Sequence, residues 1–267
     1  MALPFLPPAS LDSSFTMSRP TMADLDALVK VYYDSFETEP SNTWWWPPEP
    51  EAMLEWIRDR VRRKMSDRSV RHFQVLDDQG EVVSFARWDI PKGHEAKFGE
   101  WVGSDDEEDD DNDGALDVSR TAEEGQDDIA EPAATTAPVE ELAPAAAKTM
   151  PAPRGANPRL CQHFFTELAK LSKKWNAAEM LGLSLLCTSP KYYRRGAAKA
   201  LLTPMLAIAD AEGLRCYLEA TPTGRPIYEK LGFKTVEVKE FDGDALTGGR
   251  VKGDLNLYIM IREPQPL

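Results

Sequence analysis

Three observations predict a mixed α/β fold, a twisted sheet flanked by helices. Two strand-like runs around a tight turn stand at residues 72–90, a second such pair closes the chain, and strand and helix patterns alternate between them. A long break in composition interrupts this order without replacing it.

Residues 14–18, SFTMS, read as a short strand. Thr21 and Asp24 follow in capping-box spacing, and Leu25, Leu28, Val29, Tyr32 and Phe36 recur at helical spacing. The run TWWWPPEP then places Trp44, Trp45 and Trp46 on a loop, where three bulky rings form either an apolar, cation-binding wall or a plug of core. Met53, Leu54, Ile57, Val61 and Met65 share one face of a second helix. HFQVLDD and EVVSFARWDI flank Gln79 and Gly80, the pattern of an antiparallel hairpin.

Beyond the break, Leu160, Phe164, Leu168 and Leu171 mark a helix and Leu181, Leu183, Leu185 and Leu186 a strand. A helix over 197–211 turns Leu201, Leu202, Met205 and Leu206 inward. Pro204 lies inside it and is expected to kink it, because an interior proline loses a hydrogen bond and clashes at a cost of about 3 kcal/mol. LRCYLEA reads as the next strand, Pro226 opens a short helix and Gly232 closes it. FKTVEV and DLNLYIMIR finish the chain, the second alternating Leu255, Leu257, Ile259 and Ile261 with other residues.

The break runs from 93 to 157. Residues 104–132 hold fourteen Asp and Glu against the single Arg120, so they carry a net −13 of the chain's −14 and leave the remainder near neutral. An Ala/Pro/Thr-rich stretch ending in PAPRGANP follows, and large apolar residues are too few to form a core. We expect one domain over 13–267, interrupted by a disordered insertion at 104–155 and preceded by a flexible terminus at 1–12. No basic stripe outside the insertion could track a phosphate backbone, which argues against a nucleic-acid ligand.

Cys161, Cys187 and Cys216 share no CxxC spacing and read as small buried hydrophobes in a reducing compartment. His72, His94 and His163 have no ligand spacing, so no metal is expected. MALPFLPPASLDSS lacks a basic region and a long apolar core, and no stretch approaches eighteen apolar residues. The expected location is the cytoplasm, with the nucleus also compatible.

Chemistry concentrates in LSLLCTSPKYYRRGAAKALL, a buried strand, a short basic loop and small residues opening a helix. A helix start presents unpaired N–H groups and the positive end of the macrodipole, and Gly196 lets an anion approach the backbone. Arg194, Arg195 and Lys199 add fixed positive charge suited to phosphates. The alternative is an ordinary strand-to-helix turn with a solvated basic end.

A second stretch, EATPTGRPIYEKLGF, lies some thirty residues on. Together the two resemble the GNAT N-acetyltransferases, whose acetyl-CoA loop reads Gln or Arg, two residues, Gly, one residue, then Gly or Ala. The matching positions are Tyr193, Gly196 and Ala198, and the later motif is Tyr228, Leu231, Gly232 and Phe233. Tyr193 stands where Gln or Arg is usual, with Arg194 and Arg195 beside it keeping the basic character. The likeness covers residues 160–240 well, the elements before the break more loosely, and the insertion not at all.

The resemblance implies a GNAT fold of about six to seven strands, with acetyl-CoA as acyl donor between Leu185 and Tyr228. The strand ending at Leu186, Cys187 and Thr188 would splay from its neighbour and pair with the pantetheine arm. Tyr193, Arg194, Arg195, Gly196, Ala197, Ala198 and Lys199 would hold the phosphates. Tyr228 would protonate the leaving thiolate or pack as a helix aromatic, and an N–H near Cys187 or Thr188 would meet the oxyanion. Glu219 could accept a proton directly or through water, or stand inert as a solvated carboxylate. Trp44, Trp45 and Trp46 lie where the acceptor site is usually built. The expected reaction is acetylation of a primary amine, of a small molecule first and of protein N-termini or lysines second. The other class is a non-catalytic acyl-CoA-binding protein whose acidic insertion contacts basic partners such as histone tails.

Overall fold

The computed structural model describes residues 2–102, 151–252 and 254–266. Seven strands make one sheet: β1 (Thr16–Ser18), β2 (Val70–Leu76), β3 (Val82–Asp89), β4 (Leu181–Thr188), β5 (Cys216–Ala220), β6 (Lys234–Lys239) and β7 (Leu257–Arg262), in the order β1-β2-β3-β4-β5-β7-β6. Every pairing is antiparallel except β4 with β5. The helices are α1 (Leu25–Phe36), α2 (Pro40–Thr43), α3 (Pro50–Ser66), α4 (Pro158–Lys174), α5 (Ala197–Ala211), α6 (Arg225–Glu229) and α7 (Gly243–Thr247). Among the described residues no helix is long and apolar enough to cross a membrane.

Local chemistry accounts for most boundaries. The Thr21 N–H donates to the Asp24 carboxylate at 2.7 Å in the entry to α1, and Asn157 caps α4 by accepting from the Arg159 N–H at 3.0 Å. Gly232 ends the turn after α6 with φ +90°, a backbone conformation that glycine adopts without steric cost. The short helix α7 was not expected, although Asp242 caps it through the Ala245 N–H at 2.9 Å and Gly248 closes it at φ +61°.

Helix α5 runs unbroken through the buried Pro204. Leu201, Leu202 and Met205 on it are fully buried, and each such side chain contributes about 1.5–3 kcal/mol, which together outweighs the proline's cost of about 3 kcal/mol.

The core has two main parts, one on each face of the sheet. The first gathers α5 with Leu181, Leu183, Cys216 and Leu218, and the second gathers α1, α3, α4 and the tryptophans with Leu185 and Cys187. Strand β4 therefore serves both faces. Arg87 of β3 stands opposite Leu185 and Trp88 opposite Leu183, so Ser184 is an extra residue, a bulge that turns the following side chains to the other face.

The ends of the composition break are shorter than the pattern suggested. Phe98 is fully buried, and the Arg71 side chain holds the loop by donating to the Gly99 carbonyl at 2.7 Å. On the far side, the Trp56 indole donates to the Pro151 carbonyl at 2.8 Å and Ala152 packs on the second core, so residues 151–155 belong to the packed fold. The rest of the expected insertion, 104–150, lies outside the described residues. Of the terminus expected to be flexible, Phe5 lies 5.0 Å from the Phe73 ring and Leu3 and Leu11 pack on the first core.

Candidate functional site

Strands β4 and β5 pair only at Leu181 with Cys216 and Gly182 with Tyr217. Both then continue, to Thr188 and Ala220, without pairing to each other. Beyond Gly182 the β5-facing edge of β4 is thus left for another partner. A cleft of about 590 Å³ opens there, lined by Leu186 and Thr188 on one side and by Glu219, Thr221 and Tyr228 on the other.

One end of the cleft meets the start of α5. Gly196 is its N-cap, with φ +87°, and Arg194 two residues earlier has φ +64°, an uncommon conformation for a residue with a side chain. The Ala200 N–H donates to the Gly196 carbonyl at 3.0 Å, so the amides of Ala197, Ala198 and Lys199 are those that a helix leaves unpaired. Arg194, Gly196, Ala197, Ala198 and Lys199 all line the cleft. The loop before them is fixed by the Tyr192 hydroxyl, which donates to Asp77 at 2.5 Å.

Arg195 departs from its expected place. Its guanidinium donates to Ser14 Oγ at 2.9 Å and lies over the Phe15 ring at 4.5 Å, so it ties the N-terminal segment to the loop and does not line the cleft. Of the basic residues in this loop and the α5 start, Arg194 and Lys199 line the cleft.

Tyr228 sits on α6, buried against Phe233 yet lining the cleft. Among the described residues its hydroxyl has no hydrogen-bond partner, and burial followed by the nearby Cys187 pushes the phenol well above its ordinary pKa. It is therefore a neutral O–H donor at any ordinary pH. Cys187 itself is wholly buried toward α1, and burial raises its thiol pKa far above normal, which leaves it no thiolate chemistry. Glu219 lines the cleft and accepts the Tyr217 hydroxyl at 2.7 Å.

Of the three tryptophans, Trp45 lines the cleft. Trp44 and Trp46 are buried in the second core and do not reach it. Trp44 packs on Phe241 and Phe164, and Trp46 on Tyr33, so the loop is drawn into the core between α1 and α4. The same wall carries residues that sequence patterns did not single out: Ser35, Glu39 and Arg60. Ser35 Oγ reaches the Thr188 carbonyl at 3.0 Å and so joins α1 to the end of β4. Glu39 stands before Pro40 in a polar run without period, and only its burial marks it.

A splayed parallel pair, a helix start with unpaired amides and a neutral phenol beside them are parts that an acyl transfer from a coenzyme A thioester would use. Residues 173–247 match the family model described as an acetyltransferase (GNAT) domain. The fold is shared with a structure titled histone acetyltransferase HPA2 and related acetyltransferase from Corynebacterium glutamicum, at 19% identity over 95% of this chain and 98% of that one, with a TM-score of 0.51. The PaiA N-acetyltransferase of Thermoplasma acidophilum, in complex with coenzyme A, is similar at 15% identity over 94% and 99%, with a TM-score of 0.43. The ribosomal-protein-S18-alanine N-acetyltransferase of Escherichia coli is similar at 12% identity over 95% and 96%, with a TM-score of 0.45. No curated protein matches the sequence.

Proposed function

We propose that the protein transfers acetyl from acetyl-CoA to a primary amine of a small molecule by direct attack, with Tyr228 as general acid. The observation that supports this most is the Tyr228 hydroxyl, buried, neutral and, among the described residues, without a hydrogen-bond partner in the cleft where β4 and β5 part. The open edge of β4 suits the amides of the pantetheine arm, and the α5 start with Arg194 and Lys199 suits the phosphates. Amide groups near Thr188 would meet the oxyanion as the amine attacks the thioester carbonyl. The sulfur then leaves and takes the phenolic proton, which a thiolate needs less than an alkoxide but which still lowers the barrier. Tyr32, Phe36, Trp45, Phe164 and Phe165 wall the cleft with rings, an environment that favours a compact apolar acceptor over an extended polar peptide. Thiol release from acetyl-CoA across a panel of amines and short peptides tests the reading. Turnover confined to peptides would replace the small molecule by a protein acceptor, and coenzyme A binding without turnover on anything would leave a binding protein.

A further inference from the structure

On the strength of the acetyltransferase reading, we propose that Glu39 receives the acceptor's ammonium group and takes its first proton, and that the acceptor is a primary alkylamine on an apolar or aromatic body. Glu39 is 9% exposed and yet lines the cleft. Its Oε1 accepts from Ser41 Oγ at 3.1 Å, and its carbonyl accepts the Asn42 and Thr43 N–H groups at 3.0 Å each, which fixes the residue at the start of α2. Among the described residues no Lys, Arg or His pairs with it. A side-chain carboxyl that is buried against one hydroxyl, faces the cleft and has no cationic partner is a place where a bound ammonium supplies the missing counter-charge.

The surroundings agree with that occupant. Tyr32, Phe36, Trp45 and Phe164 line the same cleft, and ring faces attract an ammonium while accepting an apolar body. The cation on this wall, Arg60, lies over the rings of Trp56 and Phe165 at 5.5 and 5.4 Å. Glu39 is also close to the cofactor loop: burial, then Cys187 and Glu39, raise the pKa of the Tyr193 phenol. Glu219, by contrast, already accepts a hydroxyl from Tyr217 at 2.7 Å.

The proton count closes. The ammonium gives one proton to Glu39, which passes it to solvent, and the neutral nitrogen attacks the acetyl carbonyl. A C–N bond forms and the C–S bond breaks, the sulfur taking the Tyr228 proton. The nitrogen's second proton then restores Tyr228, so each turnover yields amide, thiol and one proton.

The test compares Glu39→Gln with the wild-type enzyme on 2-phenylethylamine, an ammonium at pH 7, and p-anisidine, a neutral amine at that pH. The proposal requires kcat/KM to fall about a hundredfold or more on the first and less than about threefold on the second, within the usual range for loss of a general base, with coenzyme A affinity unchanged. Equal losses on both amines, or no loss on either, would overturn it. If the variant does not fold, the wild-type enzyme decides: phenylethyltrimethylammonium should inhibit at least tenfold better than its neutral tert-butyl isostere, and equal inhibition overturns the proposal. A wild-type enzyme that binds coenzyme A but acetylates no amine would overturn the acetyltransferase reading itself, and this assignment with it.

Discussion

Arg87 clamps the one residue of β4 that has no partner in the register: its Nε donates to Ser184 Oγ at 2.9 Å and its Nη2 to the Ser184 carbonyl at 3.3 Å. The bulge, where β4 changes face, lies two residues beyond Gly182, the last residue of β4 that pairs with β5. Arg87→Met keeps most of the buried volume but removes the guanidinium donors to Ser184 Oγ and to the Ser184 carbonyl, at about 1–3 kcal/mol. We expect a lower melting temperature by several degrees and at least threefold weaker coenzyme A binding in calorimetry. A stability loss without any change in affinity would mean that the bulge does not depend on the clamp.

Tyr228→Phe keeps the ring against Phe233 and removes the one hydroxyl proposed to protonate sulfur. Folding and cofactor affinity should survive, with kcat down about tenfold or more in a steady-state assay. An unaffected kcat with a verified acceptor would make Tyr228 a packing residue.

Gly196→Leu tests the phosphate cradle. A Cβ there would meet only the Ser10 carbonyl, at 3.9 Å, so the protein itself does not crowd the position. The cost within the protein is the φ of +87°, worth about 1–2 kcal/mol for a residue with a side chain. Coenzyme A affinity should fall at least tenfold beyond any stability effect, because the side chain would stand where the anion meets the helix start. Unchanged affinity would remove the cradle from this loop.

Replacing 104–150 with a Gly/Ser linker should leave acetyl transfer and the melting temperature nearly unchanged, since that stretch holds most of the net charge and little apolar mass. Extending the replacement through 155 removes the Pro151 carbonyl and orphans the buried Trp56 N–H, so thermal melts should show a further loss of about 1–2 kcal/mol. If the shorter replacement folds but is inactive, the acidic segment belongs to the site.

Glu167 joins α4 to β6 through Lys239 and pairs with Lys170 at 2.8 Å. The hydrogen bond from Lys170, then that from Lys239, lowers its pKa from 4.5 to about 2. A carboxylate depressed in the folded state stabilises above its unfolded pKa, and that contribution disappears as pH falls from about 4.5 to about 2. Glu167→Gln should therefore cost about 1–2 kcal/mol at pH 7, and its stability should approach the wild-type value as acid titrates that window. A constant difference down to pH 2 in denaturant melts would show that the pair does not stabilise the fold.

Elements whose signals are local and periodic were legible without coordinates. Leu201, Leu202, Met205 and Leu206 recur at helical spacing and are all buried, and β4 and β5 stand as the apolar runs around them placed them. The segment that matches the family model was legible for the same reason, because Gly196 before a helix and Tyr228 before Leu231, Gly232 and Phe233 are short motifs confined to a few residues. Contacts between distant parts of the chain were not. Arg195 was assigned to phosphate by its neighbours, but its partners Asp12 and Ser14 lie 183 and 181 positions away. The bulge is held by Arg87, 97 positions from Ser184, and Glu39 is buried against the cleft only in the folded chain. Trp44, Trp45 and Trp46 look alike in a row of three and all join the second core, and only the fold puts Trp45 on the cleft wall. Hydrophobic period sets which residues of an element are buried, whereas the charge or ring that meets a given side chain across the fold is set by chain topology, which leaves no trace in local spacing.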